Sequence, residues 1–254
     1  MLTADPVLFI FFAFAAGLLI GCVGIGGVIL VPLLTYVSGV EIHTAIAAAM
    51  FAYLVSGAIG TFAYARNKSI RWDLTVWMWL GAMPAAFAGA LAASTASAWI
   101  LELCIGLLAA ASGLNSLLAG SDAEVKVGTG LTKPALAIIG AVTGFASALT
   151  GTGGPLILIP ILMWLEIQVL TAIGLSQAIQ LPIAALATAG YSYSGSLDIV
   201  LGCLLAAGIS LGTWCGSLIA HALPKATLRA FVSILMIAVG ALILAKIAYV
   251  ALAG

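Results

Sequence analysis

The stretch Leu149–Pro160 reads "LTGTGGPLILIP" and lies inside an apolar run, 134–165, long enough to cross a bilayer. Three glycines and two threonines weaken a membrane helix where it should be strongest. The local chemistry predicts a break followed by a new helix. Thr152 is placed to cap a helix start with its hydroxyl. Pro155 suits the first helical position, where its missing N–H costs nothing. The new helix is expected to run from near Pro155 through "LILIPILMW". Gly151, Gly153 and Gly154 permit positive φ and close approach of the backbone to a ligand. A second interrupted run, 6–38, carries "GCVGIGGVILVP", where Gly24, Gly26 and Gly27 precede an aliphatic segment in the same way.

The composition around these breaks excludes a soluble globule. Of 254 residues, 64% are hydrophobic and 6% charged, against roughly 25% charged in soluble domains. The mean hydropathy is +1.30. Apolar runs at 6–38, 43–65, 72–93, 98–119, 134–165, 169–192, 198–221 and 226–250 predict an all-α polytopic membrane protein. Net charge is zero, so no basic face for nucleic acid is expected. The start, "MLTADPVLFIFFAF", lacks the positive n-region of a cleavable signal. Cys22, Cys104, Cys203 and Cys215 lie in apolar runs without CxxC spacing and read as packing residues. No cofactor or metal is expected.

A shift of 127 residues superposes the two halves. Seven of the 13 glycines in the first half land on glycines in the second: Gly17, Gly24, Gly26, Gly27, Gly81, Gly89 and Gly113 on Gly144, Gly151, Gly153, Gly154, Gly208, Gly216 and Gly240. One ungapped shift serving the whole length marks an internal repeat. The chain thus reads as two repeats, 1–127 and 128–254, forming one membrane domain.

The basic residues suggest that the repeats are inverted. Arg66, Lys68 and Arg71 follow the second run, Lys126 and Lys133 lie between the halves, and Lys225 and Arg229 precede the last run. If each broken segment is a re-entrant hairpin followed by three transmembrane helices, all three clusters fall on the cytoplasmic side. Inverted repeats with paired interrupted helices are an architecture of secondary transporters. Helix N-termini bind anions through free N–H donors and a positive dipole end. Two such ends meeting near the midplane would hold a small oxyanion without a buried Lys or Arg. Thr150 and Thr152 stand at the second break. Ser176, Gln177 and Gln180 form a polar group in "LSQAIQLP", and Met50 matches Gln177 across the repeat. These residues, with Gly24, Gly26, Gly27, Gly151, Gly153 and Gly154, are the candidate substrate-binding set.

Other polar residues have plainer readings. Tyr64 and Tyr191 match at run ends and read as interfacial anchors. Asp73 and Asp198 read as helix caps. Glu102, about a turn inside its run, is a candidate proton carrier. His43 and His221 sit at run ends and form no ligand cluster.

The paired "GIGG" and "GTGG" elements, each ahead of an aliphatic run with Pro32 or Pro160, resemble the TauE/SafE sulfite and organosulfonate exporter family. So do "TAIAAAMFAYLVSGAIGTFAY" and "TAIGLSQAIQLPIAALATAGY" at matching places. The resemblance covers about residues 8–250. It implies a permease of the bacterial inner membrane for sulfite, sulfoacetate or a related sulfur-containing anion. The family pattern often carries Thr-Ser after the Thr-Ala-Ile element. Here Ala48-Ala49 and Leu175-Ser176 stand there, so polar contact from that position is one-sided. The expected partners are a small anion and membrane lipid. A proton or sodium coupling ion and self-association stay open. A passive anion channel, an intramembrane enzyme and a membrane scaffold are the alternatives; no HExxH or carboxylate cluster in the apolar runs supports an enzyme.

Overall fold

The computed structural model describes residues 6–93 and 131–253, with scattered positions between 103 and 118. Every regular element among them is helical. Helix α1 spans Pro6–Val23 and ends at the first glycine break. A short α2, Gly27–Pro32, passes into a π-turn, Leu33–Val37. Helices α3, Ile42–Arg66, and α4, Trp72–Ala92, complete the described part of the first half. The second half runs α5, Lys133–Thr150; α6, Pro155–Trp164; α7, Val169–Tyr193; α8, Ile199–Ala222; and α9, Lys225–Ala253. Six of these, α3, α4, α5, α7, α8 and most of α9, are long and apolar enough to cross a membrane. Glu102, Asn115, Cys104 and the segment 119–130 lie outside the described residues.

The 127-residue shift reappears in the helix boundaries. Both ends of α1 and α5 differ by that number, as do both ends of α3 and α7, and the first residues of α4 and α8. The packing follows the same shift, but it crosses between the halves. Helix α1 lies along α8, and its counterpart α5 lies along α4. Helices α3 and α7 pack on each other, and each also packs on the other half's α8 or α4.

Glycines make these seams close. A Cβ on Gly17 would collide with the backbone of Ile209, and one on the matching Gly144 with the backbone of Ala82, the match of Ile209. Gly81 faces Ala137, and Gly208 faces Ile10. Gly89 faces Phe145, and Gly216 faces Leu18. Gly113 faces Ser233, and Gly240 faces Gly106. Each pair is the other's image under the shift. In lipid, where no hydrophobic effect drives helices together, small residues let backbones approach and gain dispersion contact.

Helix starts follow local capping chemistry. Asp198 caps α8 by accepting the Leu201 N–H at 3.1 Å, as its position suggested. Asp73 does not cap α4: Arg71 occupies that N-cap and holds the Asp73 carboxylate in an ion pair. Glu41 caps α3, accepting the Thr44 N–H at 2.9 Å.

Candidate functional site

Each long helix ahead of a break ends on a left-handed glycine, the conformation only glycine adopts without strain. Gly24 has φ +77 and sends its N–H to Ile20 O at 2.9 Å. Gly151 has φ +71 and sends its N–H to Ser147 O at 2.9 Å. Beyond this point the two breaks diverge. The second continues through Gly153 at φ +81 and Gly154 at φ +112 before Pro155 opens α6. In the first, Gly26 is the N-cap with φ −128, and Gly27 is already helical.

The helix predicted from Pro155 through "LILIPILMW" is α6 as observed. Its cap is not Thr152. Gly154 fills the N-cap position, two residues after Thr152, with no side-chain bond. The Thr152 hydroxyl pairs instead with that of Thr150 at 3.0 Å.

The structure brings the two breaks together. A Cβ on Gly27 would stand 2.5 Å from Thr152 O, and one on Gly24 would press on Ile159 and Pro155. Tyr53 of α3 fills the space between them. Its ring lies 2.9 Å from where a Gly153 Cβ would be, and its hydroxyl donates to Gly27 O at 3.2 Å. Tyr53 was not among the sequence candidates. The available signal was its place 127 residues before Gln180, a polar residue in each half at one repeat position. Gln180 meets its own counterpart: its amide nitrogen donates to Tyr53 O at 3.2 Å and to Ser56 Oγ at 3.1 Å.

The remaining candidates are placed as follows. Gln177 Nε2 donates to Ile20 O at 2.6 Å, at the last turn of α1, so it serves the first break. Its Oε1 is buried without a partner. Ser176 donates to Ala172 O, one turn back on its own helix, at 2.7 Å. Thr150 donates to Ala146 O at 2.8 Å. With that proton committed, Thr152 is the donor in the Thr150–Thr152 pair. Met50 is fully buried in α3 and has no donor to offer an anion.

Two tyrosines read as interfacial anchors are buried instead. Tyr64 is 0% and Tyr191 2% exposed. Their hydroxyls donate to Gly21 O and Ala148 O, carbonyls in the last turns of α1 and α5. An apolar run's end is not the molecular surface where another chain segment ends beside it. His221 packs on the Tyr64 ring and contacts Ser69 Oγ and Ser217 O. Among the described residues no group of three His, Cys, Asp or Glu could hold a metal ion.

A family model described as "Sulfite exporter TauE/SafE" matches residues 9–243. The "Probable membrane transporter protein YdhB" of Bacillus subtilis is 25% identical over 244 residues, covering 94% of this chain and 100% of that protein. The "Probable membrane transporter protein MJ0441" of Methanocaldococcus jannaschii is 25% identical over 245 residues, covering 89% of this chain and 90% of that protein. No solved structure matches.

Proposed function

The chain belongs to the sulfite exporter TauE/SafE family, a family of multi-pass membrane transporters, and from that premise we propose that it is a secondary transporter of a small sulfur-containing oxyanion. Sulfite, sulfoacetate and related organosulfonates are the substrate class, and the bacterial inner membrane is the location. The two repeats are inverted, each with a re-entrant broken hairpin and three crossings. The anion binds where the breaks meet, and the helix pairs on either side move against each other around it.

One observation carries the reading: two glycine breaks, 127 residues apart in sequence, touch at Gly27 and Thr152 in the buried interior around Tyr53. Non-helical backbone at membrane depth is stable only when buried in protein or lining a cavity. A pair of such interruptions, one in each repeat, is where secondary transporters place their substrate. An oxyanion fits because the donors there are helix-end N–H groups and hydroxyls rather than cations. The close contact of the breaks favours a gated carrier over an open pore, since Thr152 and Tyr53 lie directly against Gly27, and Tyr53 against Gly153.

Counterflow in proteoliposomes tests this. Uptake of labelled sulfite is expected to saturate and to accelerate when unlabelled sulfite or sulfoacetate is loaded inside. A flux linear in concentration and indifferent to the loaded anion would identify a channel. No protein-dependent flux of any sulfur oxyanion would overturn the reading.

A further inference from the structure

An oxyanion in a membrane interior needs hydrogen-bond donors, and most of those near the breaks are already committed. The protons of Thr150, Ser176 and Gln180 go to protein acceptors, and Thr152 donates to Thr150. One Gln177 donor goes to Ile20 O.

Ser147 is different. It lies in α5 one turn before Gly151, is 0% exposed, and its Oγ has no hydrogen-bond partner. A helical serine ordinarily returns its proton to the carbonyl four residues back, as Ser176 does to Ala172 O. Ser147 Oγ stands 3.9 Å from the place a Gly154 Cβ would take, beside the first turn of α6. Gly154 is also the roomiest glycine in either break. Its nearest neighbour in that direction is Ile183 Cδ1 at 3.4 Å, whereas Gly24, Gly26, Gly27, Gly151 and Gly153 all have atoms within 2.9 Å. At the start of α6, Ile157 and Leu158 both bond to Gly154 O, and Pro155 has no N–H, so Leu156 supplies the unused helix-end donor.

The first break has none of this. The counterpart of Ser147 is Ile20, and Gly26 is closed against it and against the Ala16 carbonyl. Its α2 is six residues long and ends in a π-turn.

We propose that the oxyanion is bound at the second break alone, between Ser147 Oγ and the N-terminus of α6, against the Ile179–Ile183 wall. The first break is the closed counterpart that supports it. This rests on the reading that the breaks bind an anion and adds which break and which side chain.

The test is calorimetric titration of the purified full-length protein in detergent with sodium sulfite, beside melting without sulfite. Wild type is compared with Ser147→Ala and Ser147→Cys. Because the hydroxyl has no protein partner, Ser147→Ala is expected to melt at or above the wild-type temperature in the absence of sulfite. Its sulfite affinity is expected to fall about tenfold or more, the effect of losing a hydrogen bond to a charged group. Ser147→Cys, a weak donor of similar shape, is expected to lie between. Unchanged affinity in Ser147→Ala would overturn this inference and leave the paired-break reading standing. A lower melting temperature without sulfite would also overturn it, by showing that the hydroxyl serves the fold. If wild type binds no sulfite, sulfate, thiosulfate or sulfoacetate, the underlying reading fails as well.

Discussion

The hydroxyl of Tyr64 donates to Gly21 O at 2.8 Å, and that of Tyr191 donates to Ala148 O at 2.7 Å. Both carbonyls belong to the last four of a helix, which have no partner within it. In lipid-embedded protein an unpaired carbonyl is costly, so a break inside the membrane demands donors from elsewhere. The sequence supplies them at matched positions: Tyr64 for α1 and Tyr191 for α5, with Gln177 added at Ile20 O. Tyr64→Phe and Tyr191→Phe are each expected to lower stability by about 1–3 kcal/mol, the penalty of a buried acceptor left unpaired. The two effects should be similar and should add in the double variant, since the residues share no partner. Thermal melting of the purified variants checks this; unchanged melting in both would mean that water or another group serves these carbonyls. The repeat match of the tyrosines was legible in the sequence, but their partners were not. A hydrogen bond spanning 43 residues depends on which helices pack together, and no local pattern encodes that. Ser147 carries no sequence signal for a similar reason: a serine in an Ala/Gly-rich helix looks like ordinary small-residue packing, and only the fold leaves its proton without an acceptor.

Helix limits were far more legible than side-chain partners. The apolar runs 43–65, 72–93, 169–192 and 198–221 each fall within a few residues of α3, α4, α7 and α8. Both breaks lie where glycine and proline chemistry put them, because φ preferences and missing N–H groups act locally. The shape of the first break was not legible. "GIGG" and "GTGG" look alike, yet Gly26 and Gly153 differ in the sign of φ. Pro155, which the first break lacks, sets the start of α6. The matched glycines divide by the element they serve. Three pairs form the breaks, and four let helices approach. Gly81→Ala and Gly208→Ala would each drive a methyl into the facing backbone, of Ala137 and Ile10 respectively. Each is expected to destabilise by about 1–3 kcal/mol or more, as overpacking does. Gly39 and Gly195 offer the contrast. They have φ +67 and +76 and nothing within 4 Å of an added Cβ. Alanine there is expected to cost only the left-handed strain, about 1–2 kcal/mol. Melting temperatures of the four variants decide it: if the seam glycines tolerate alanine better than the turn glycines, close helix approach is not what holds the seams.

At the scale of the whole molecule, the halves of the sequence are not the packed units of the structure. The long seams join α1 to α8 and α4 to α5, each pairing one repeat with the other. A gating motion that respects these glycine-tight seams would carry α1 with α8 and α4 with α5, leaving the α3–α7 contact as the place to slide. The reciprocal packing obeys a two-fold exchange, and the counterparts α3 and α7 run antiparallel, Tyr53 and Ser56 meeting Gln180 while Ser69, just past the end of α3, meets Gly174 near the start of α7; an axis in the membrane plane gives that arrangement and one along the normal does not. The charges favour the in-plane axis. The turn after α3 carries Arg66, Lys68 and Arg71, whereas the matching turn after α7, "SYSGSL", has no basic residue. An excess of Lys and Arg marks the cytoplasmic side, so the two turns should face opposite compartments. Asn67 and Ser194 are counterparts in these turns, and both are exposed. In a background with the native cysteines replaced by serine, Asn67→Cys is expected to resist a membrane-impermeant maleimide applied to intact cells and to react once they are permeabilised. Ser194→Cys is expected to react in intact cells. Labelling of both from one side would overturn the inverted arrangement of the repeats.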